Sequence, residues 1–108
     1  MIKVNFIKKD QDIIGFTSKG HAGYGEHGND VICAAVSVLI INTVNAIESF
    51  TPDSFHIDEN EKEGLITIKF NNKVSKETKL LLDTLILGLN GIESEYGTQY
   101  IQVSFKEV

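Results

Sequence analysis

The chain has 108 residues, 42% of them hydrophobic and 23% charged, with a single proline and a single cysteine. That composition suits one packed globular domain over 1–108 and excludes a disordered, collagen-like or disulfide-stapled chain. Fifteen acids face ten bases, every base a lysine, for a net charge of −5; the missing arginines argue against direct nucleic-acid binding and leave attraction to a basic polypeptide open.

In chain order, Ile2, Val4 and Phe6 alternate with Lys3, Asn5 and Ile7, and Ile14, Phe16 and Ser18 alternate with Gly15, Thr17 and Lys19. Both runs predict half-buried strands joined by a turn at the charged Asp10-Gln11-Asp12. A glycine-rich stretch follows. From Asp30 a helix is predicted to about Phe50, with Asp30 as its cap and Thr51-Pro52 beyond its end. Its Val31–Ile41 run is apolar nearly all round, so the helix is expected to lie deep. That run is 11 residues long, short of the ~20 needed to span a bilayer.

Phe55 and Ile57, then Ile66, Ile68 and Phe70, predict a second hairpin around the polar Glu59–Gly64 connection. Val74, Thr78, Leu81, Leu82, Leu85, Leu89 and Ile92 recur at helical spacing, with Gly91 expected near the frayed end. A turn at Glu95–Thr98 leads into a last strand carrying Ile101, Val103 and Phe105. The order is ββαββαβ, an α+β fold with both long helices on one face of a mostly antiparallel five-stranded sheet.

Chemistry concentrates in Gly20–Ser37. With Asp30 as cap, Cys33 takes the third helical position, where unpaired N–H groups and the helix dipole favour an anion. Reactive cysteines occupy such places, and also lie beside histidine, because the thiolate is the nucleophile. Cys33 is equally readable as a small buried residue beside Ala34, Ala35 and Val36. Two histidines could serve as base. His21 ends the second strand, on a rigid element, whereas His27 sits in the mobile GYGEHGN loop and suits substrate contact. Ser37 follows Cys33 by one helical turn; Asp30 acts as cap alone or also holds the loop or orients His21.

Four other chemistries fit this stretch less well. Gly23–Gly28 matches G-x-G-x-x-G, but the preceding strand alternates, no βαβαβ order follows, and Glu26 and Asp30 would oppose a pyrophosphate. His21, His27 and Cys33 lie six residues apart, a spacing that fits no strong zinc pattern. A phosphatase would need an arginine after the cysteine, and a thioredoxin-type centre a second cysteine. His56, between Phe55 and Ile57, reads as a surface residue.

Gly20-His21-Ala22, a glycine-rich loop, then Gly28-x-Asp30-x-x-Cys33-Ala34-x-x-Ser37 resembles the ribosomal-processing cysteine protease (Prp) family, and the element order agrees along the chain. The resemblance implies a cysteine endopeptidase with a His21/Cys33 dyad, supported by Gly20, Asp30 and Ser37. Gly23, Gly25, His27 and Gly28 would form the substrate loop, and first-turn N–H groups at Asp30 would contribute to an oxyanion site. It also implies removal of a short N-terminal extension from the large-subunit ribosomal protein numbered twenty-seven, after an aromatic residue, without metal or cofactor, by a homodimer. His27 stands where the family varies. A different class, a non-catalytic dimeric binding protein on the ribosome, would share the charge and fold. The N-terminal MIKVNFIKKD lacks a signal-peptide pattern, so the expected location is cytoplasmic, with no membrane partner.

Overall fold

The computed structural model describes residues 1–26 and 28–108. Its elements are β1 (Ile2–Lys9), β2 (Asp12–Lys19), α1 (Val31–Phe50), β3 (Phe55–Asn60), β4 (Leu65–Phe70), α2 (Lys76–Tyr96) and β5 (Ile101–Glu107). The five strands form one sheet in the order β3-β4-β2-β1-β5. All neighbours are antiparallel except β1 and β5, which run parallel with Ile2 opposite Ile101.

The period-two pattern sets which face is covered. Val4 and Phe6 of β1, Phe16 of β2, Ile68 of β4 and Ile101 of β5 project to one side and are buried there. Against them pack Ile32, Val36, Ile40 and Ile47 of α1 and Leu82, Leu85 and Leu89 of α2, in one contiguous core. Both helices therefore share one face of the sheet, as expected.

Three local expectations change. α1 does not lie deep all round: Val31, Val38, Ile41 and Phe50 are exposed. The sheet and α2 pack against its buried residues, and these four side chains face solvent. By length and composition alone the 20-residue α1 is apolar enough to cross a membrane, but in this fold one side of it closes the core. Gly91 does not end α2, which continues to Tyr96 and stops at Gly97, in the left-handed region at φ 109°. Burial of Leu89 and partial burial of Ile92 outweigh the roughly 1 kcal/mol cost of a solvent-facing glycine. The strand predicted from Phe55 also extends through Glu59 and Asn60, so the hairpin turn shortens to residues 61–64.

A half-buried polar knot ties the loop before β3 to the start of α2. Asp53 accepts hydrogen bonds from the Ser75 backbone N–H (3.0 Å), the Ser75 hydroxyl (2.6 Å) and the Thr78 hydroxyl. Burial pushes the Asp53 carboxyl up, and these donors more than offset it, leaving the group below its ordinary value. Ser75 also caps α2 through the Thr78 N–H, so the knot fixes where that helix starts.

Candidate active site

Asp30 organises the start of α1. Its Oδ1 accepts from the N–H groups of Ile32 (2.9 Å) and Cys33 (3.1 Å), the bonds of an N-cap. Its Oδ2 accepts from Tyr24 (2.8 Å) and Gly25 (3.1 Å) in the glycine loop. Two of the roles expected of Asp30, cap and loop anchor, are therefore met by one carboxylate. Burial raises its pKa, and the four N–H donors together more than offset that, for a net shift below the ordinary value.

This geometry revises the expected oxyanion site. The first-turn N–H groups of Ile32 and Cys33 already bond to Asp30, and the N–H of Ala34 bonds to the Asp30 carbonyl (3.0 Å). The donor at the sulfur comes from elsewhere: the Ala22 N–H points at Cys33 Sγ from 3.2 Å. The same peptide group is held at its other end, where the His21 carbonyl accepts from the main-chain nitrogen of Met1.

Cys33 sits at the third position of α1, as the capping argument requires, and is half-buried. His21 is exposed and lies two residues past the end of β2 instead of on it. Its ring is placed from a direction the sequence did not suggest. A Cβ on Gly64, in the β3–β4 turn, would lie 3.0 Å from His21 Cε1, 3.2 Å from Nε2 and 2.8 Å from the Gly20 carbonyl oxygen. The turn backbone is thus a floor for the imidazole, and Gly64 at φ +61° is suited to that approach. Gly20, at φ +100°, has Met1 carbonyl oxygen where a side chain would begin.

Two adjoining clefts of about 490 Å³ each share His21, Cys33 and Ser37. One is bounded by the glycine loop through Gly23, Gly25, Gly28 and Asp30. The other runs toward the β3–β4 turn, with Val36, Ile40 and Ile66 giving it an apolar wall and Glu59 and Glu61 an acidic rim. The candidate dyad lies where the two meet, so an extended chain crossing Cys33 would occupy both. Of the predicted loop residues, His27 lies outside the described residues. Tyr24, which the sequence did not single out, sets its ring edge-on to Tyr96 (5.5 Å) and Tyr100 (5.1 Å), tying the loop to the far end of α2. His56 is on the surface beside Asp58, as predicted.

Comparison with known proteins decides the class of chemistry. The family model for cysteine protease Prp matches residues 1–102. The chain belongs to the Prp family of cysteine proteases. It is similar to the ribosomal processing cysteine protease Prp of Staphylococcus aureus, 33% identical over 97% of this chain and 95% of that one. The Prp protein of Bacillus subtilis is 31% identical, over 81% of each. Among solved structures, the essential S. aureus Prp with a covalently linked product peptide superposes with a TM-score of 0.92 at 31% identity, covering 98% of this chain and all of that one. The same protease with a substrate peptide gives 0.86 at 30%, with the same coverage. The chain is accordingly a cysteine peptidase with the Prp fold, and Cys33 is its one cysteine.

Proposed function

We propose that this chain is a single-domain endopeptidase of the cytoplasm that trims the short N-terminal extension of the large-subunit ribosomal protein numbered twenty-seven, with Cys33 as nucleophile and His21 as base. The observation that carries the reading is the sole thiol at a helix N-terminus, bonded by the Ala22 N–H, where two clefts meet beside His21. The names of the curated relatives, ribosomal processing proteases, support the substrate class.

His21 takes the Cys33 proton, and the thiolate adds to the scissile carbonyl carbon. The carbonyl pair moves to oxygen, where the Ala22 N–H, released from sulfur as the C–S bond forms, is the nearest donor for the oxyanion. Collapse expels the amine, which takes the proton from His21. Water, deprotonated by His21, then cleaves the thioester and restores the thiol. Asp30 holds the glycine loop against the site, Gly20 lets the chain pass Met1, and Ser37 borders the bound peptide. Gly23, Gly25 and Gly28 let the loop close over it. The apolar cleft wall suits the apolar and aromatic residues before the cut. The acid surplus of the chain favours encounter with a basic ribosomal protein. No step requires a metal or cofactor. The exposed Val31, Val38 and Ile41 on α1 form the face through which two copies pair as a homodimer.

The test is incubation with the extended ribosomal protein, read by mass spectrometry. Cys33→Ala and His21→Ala are each expected to abolish trimming while leaving the fold intact, and His27→Ala to retain most of it. Trimming at a normal rate by Cys33→Ala overturns the reading. Tight binding with no product from the parent chain favours the non-catalytic binding protein instead.

A further inference from the structure

Among the described residues, no element of the fold covers the sheet face opposite the helices. Strand register lays its side chains out in rows. Lys3 and Lys19 are direct cross-strand partners in one row. Ser104, Asn5, Thr17 and Thr67 follow as a row of hydroxyls and one amide. Lys106, opposite Ile7, and Lys69, opposite Gly15, mark the third. Asp58 is the one carboxylate in these rows, and it stands 3.6 Å from His56.

The four lysines are exposed. Among the described residues, ion pairs join His56 to Asp58 and Lys73 and Lys79 to Asp12, so none neutralises these four. Like charges set directly opposite one another destabilise a sheet, so the Lys3–Lys19 pair is a cost that folding alone does not explain. A chain of net charge −5 therefore segregates a basic face away from its acidic cleft rim. Overall charge and the absence of arginine, the grounds for disfavouring nucleic acid, conceal this separation.

We propose that this open face docks the phosphate backbone of double-helical RNA. Two residues along a strand advance about 6.7 Å, so the lysine rows stand about 13 Å apart, and Lys106 and Lys69, three strand spacings apart, are separated by about 14 Å. That spread suits charges on a broad polyanion better than a single phosphorylated side chain. The central hydroxyl and amide row offers donors and acceptors to the 2′-hydroxyls of a shallow minor groove. His56, opposite Lys69 and paired with Asp58, is the one aromatic ring in these rows, and a single ring makes no platform for the successive bases of a single strand. No exposed large apolar side chain is among them either, which removes the anchor that membrane attachment would need. The helical side is left free for pairing of two copies. The choice of RNA over other polyanions rests on the ribosome-directed reading above.

Binding to a labelled RNA duplex of about 20 base pairs, followed by fluorescence anisotropy, tests the proposal. With four lysines engaged, the slope of log affinity against log salt is expected near −3.6, roughly a 100-fold loss between 50 and 200 mM salt. Lys3→Gln with Lys19→Gln should make the slope shallower by about 2, and the fourfold Lys→Gln variant should lose binding, with cleavage of a short peptide unchanged in both. Cys33→Ala should bind RNA like the parent. Failure of the protease reading and failure of RNA docking are thereby read by separate assays. Three results would overturn the proposal: no binding at about 100 µM protein in low salt, a fourfold variant within twofold of the parent, or tighter binding to a DNA duplex or phosphatidylserine vesicles.

Discussion

Replacing Asp30 separates the two tasks its carboxylate performs. Asp30→Ala removes the acceptor for four N–H groups, two in the first turn of α1 and two in the glycine loop. Loss of an N-cap costs about 1–2 kcal/mol. The loop pair adds about 0.5–1 kcal/mol per bond, at the low end because Tyr24 and Gly25 can turn to water. The expected total is about 3 kcal/mol at neutral pH, or about 15 °C in Tm for a chain of this size. Asn caps helices nearly as well as Asp, but its amide NH₂ cannot accept from Tyr24 and Gly25. Asp30→Asn should therefore keep the helix start, cost only about 1–1.5 kcal/mol and free the loop. Urea denaturation gives the energies, and amide hydrogen exchange reports the two ends separately. Exchange should accelerate at Tyr24 and Gly25 in Asp30→Asn while Ile32 and Cys33 stay protected. The pH dependence has a fixed sign: a carboxyl lowered in the folded state adds stability above its ordinary 3.8, which is lost as pH falls through the lower folded value. Asp30→Asn should lack that component below about pH 4. Full protection of Tyr24 and Gly25 in Asp30→Asn, or a cost below about 0.5 kcal/mol for Asp30→Ala, would refute the assignment of both roles to this side chain.

Gly64→Ala puts a methyl against the His21 ring in a left-handed turn; peptide cleavage should fall at least tenfold, at a stability cost of about 1–2 kcal/mol, measured by kcat/KM and thermal melting. Asp53→Ala strips the acceptor from Ser75 and Thr78 and should cost about 2–3 kcal/mol at pH 7. Because the Asp53 carboxyl is also lowered, the gap between variant and parent should narrow as pH drops below 3.8, which acid titration of the urea midpoint will show. Val38→Asp, on the apolar face of α1 proposed to pair two copies, should sediment as a monomer where the parent sediments as the proposed dimer, with thermal stability within about 1 kcal/mol of the parent.

The fold was legible because its signals are local. Alternation in Ile2–Phe6 and Ile66–Phe70 assigns strands and their buried face, and the 3.6 period of Leu82, Leu85 and Leu89 assigns α2. Asp30 as a cap was equally plain, since capping is set by the next three residues. Helix ends were harder. Gly91 carries a breaker signal, yet tertiary burial on either side of it overrides a local cost of about 1 kcal/mol. The depth of α1 was misjudged because apolar composition does not say how many sides of a helix the fold covers. Within the site, Cys33 was marked by its place in the first helical turn and His21 by its place at the strand end, with Gly20 added by the family resemblance, but Gly64 is 43 residues from the histidine it supports and looked only like a turn. The basic sheet face was invisible for the same reason, since its lysines come from four strands that only register brings together.

The donor nearest the sulfur belongs to the main chain, and that places it beyond the reach of ordinary substitution. Any residue but proline at position 22 still carries an N–H, so replacing the side chain of Ala22, only 3% exposed, changes packing and leaves the donor present. A scan of side-chain replacements would rank this position by size tolerance and miss its part in the chemistry. Chemical synthesis can reach it. The chain's one cysteine is itself a ligation point, so a segment ending at Ile32 and carrying lactate in place of Ala22 could be joined to one beginning at Cys33. The sulfur that accepts from this N–H would then be the one that joins the two segments.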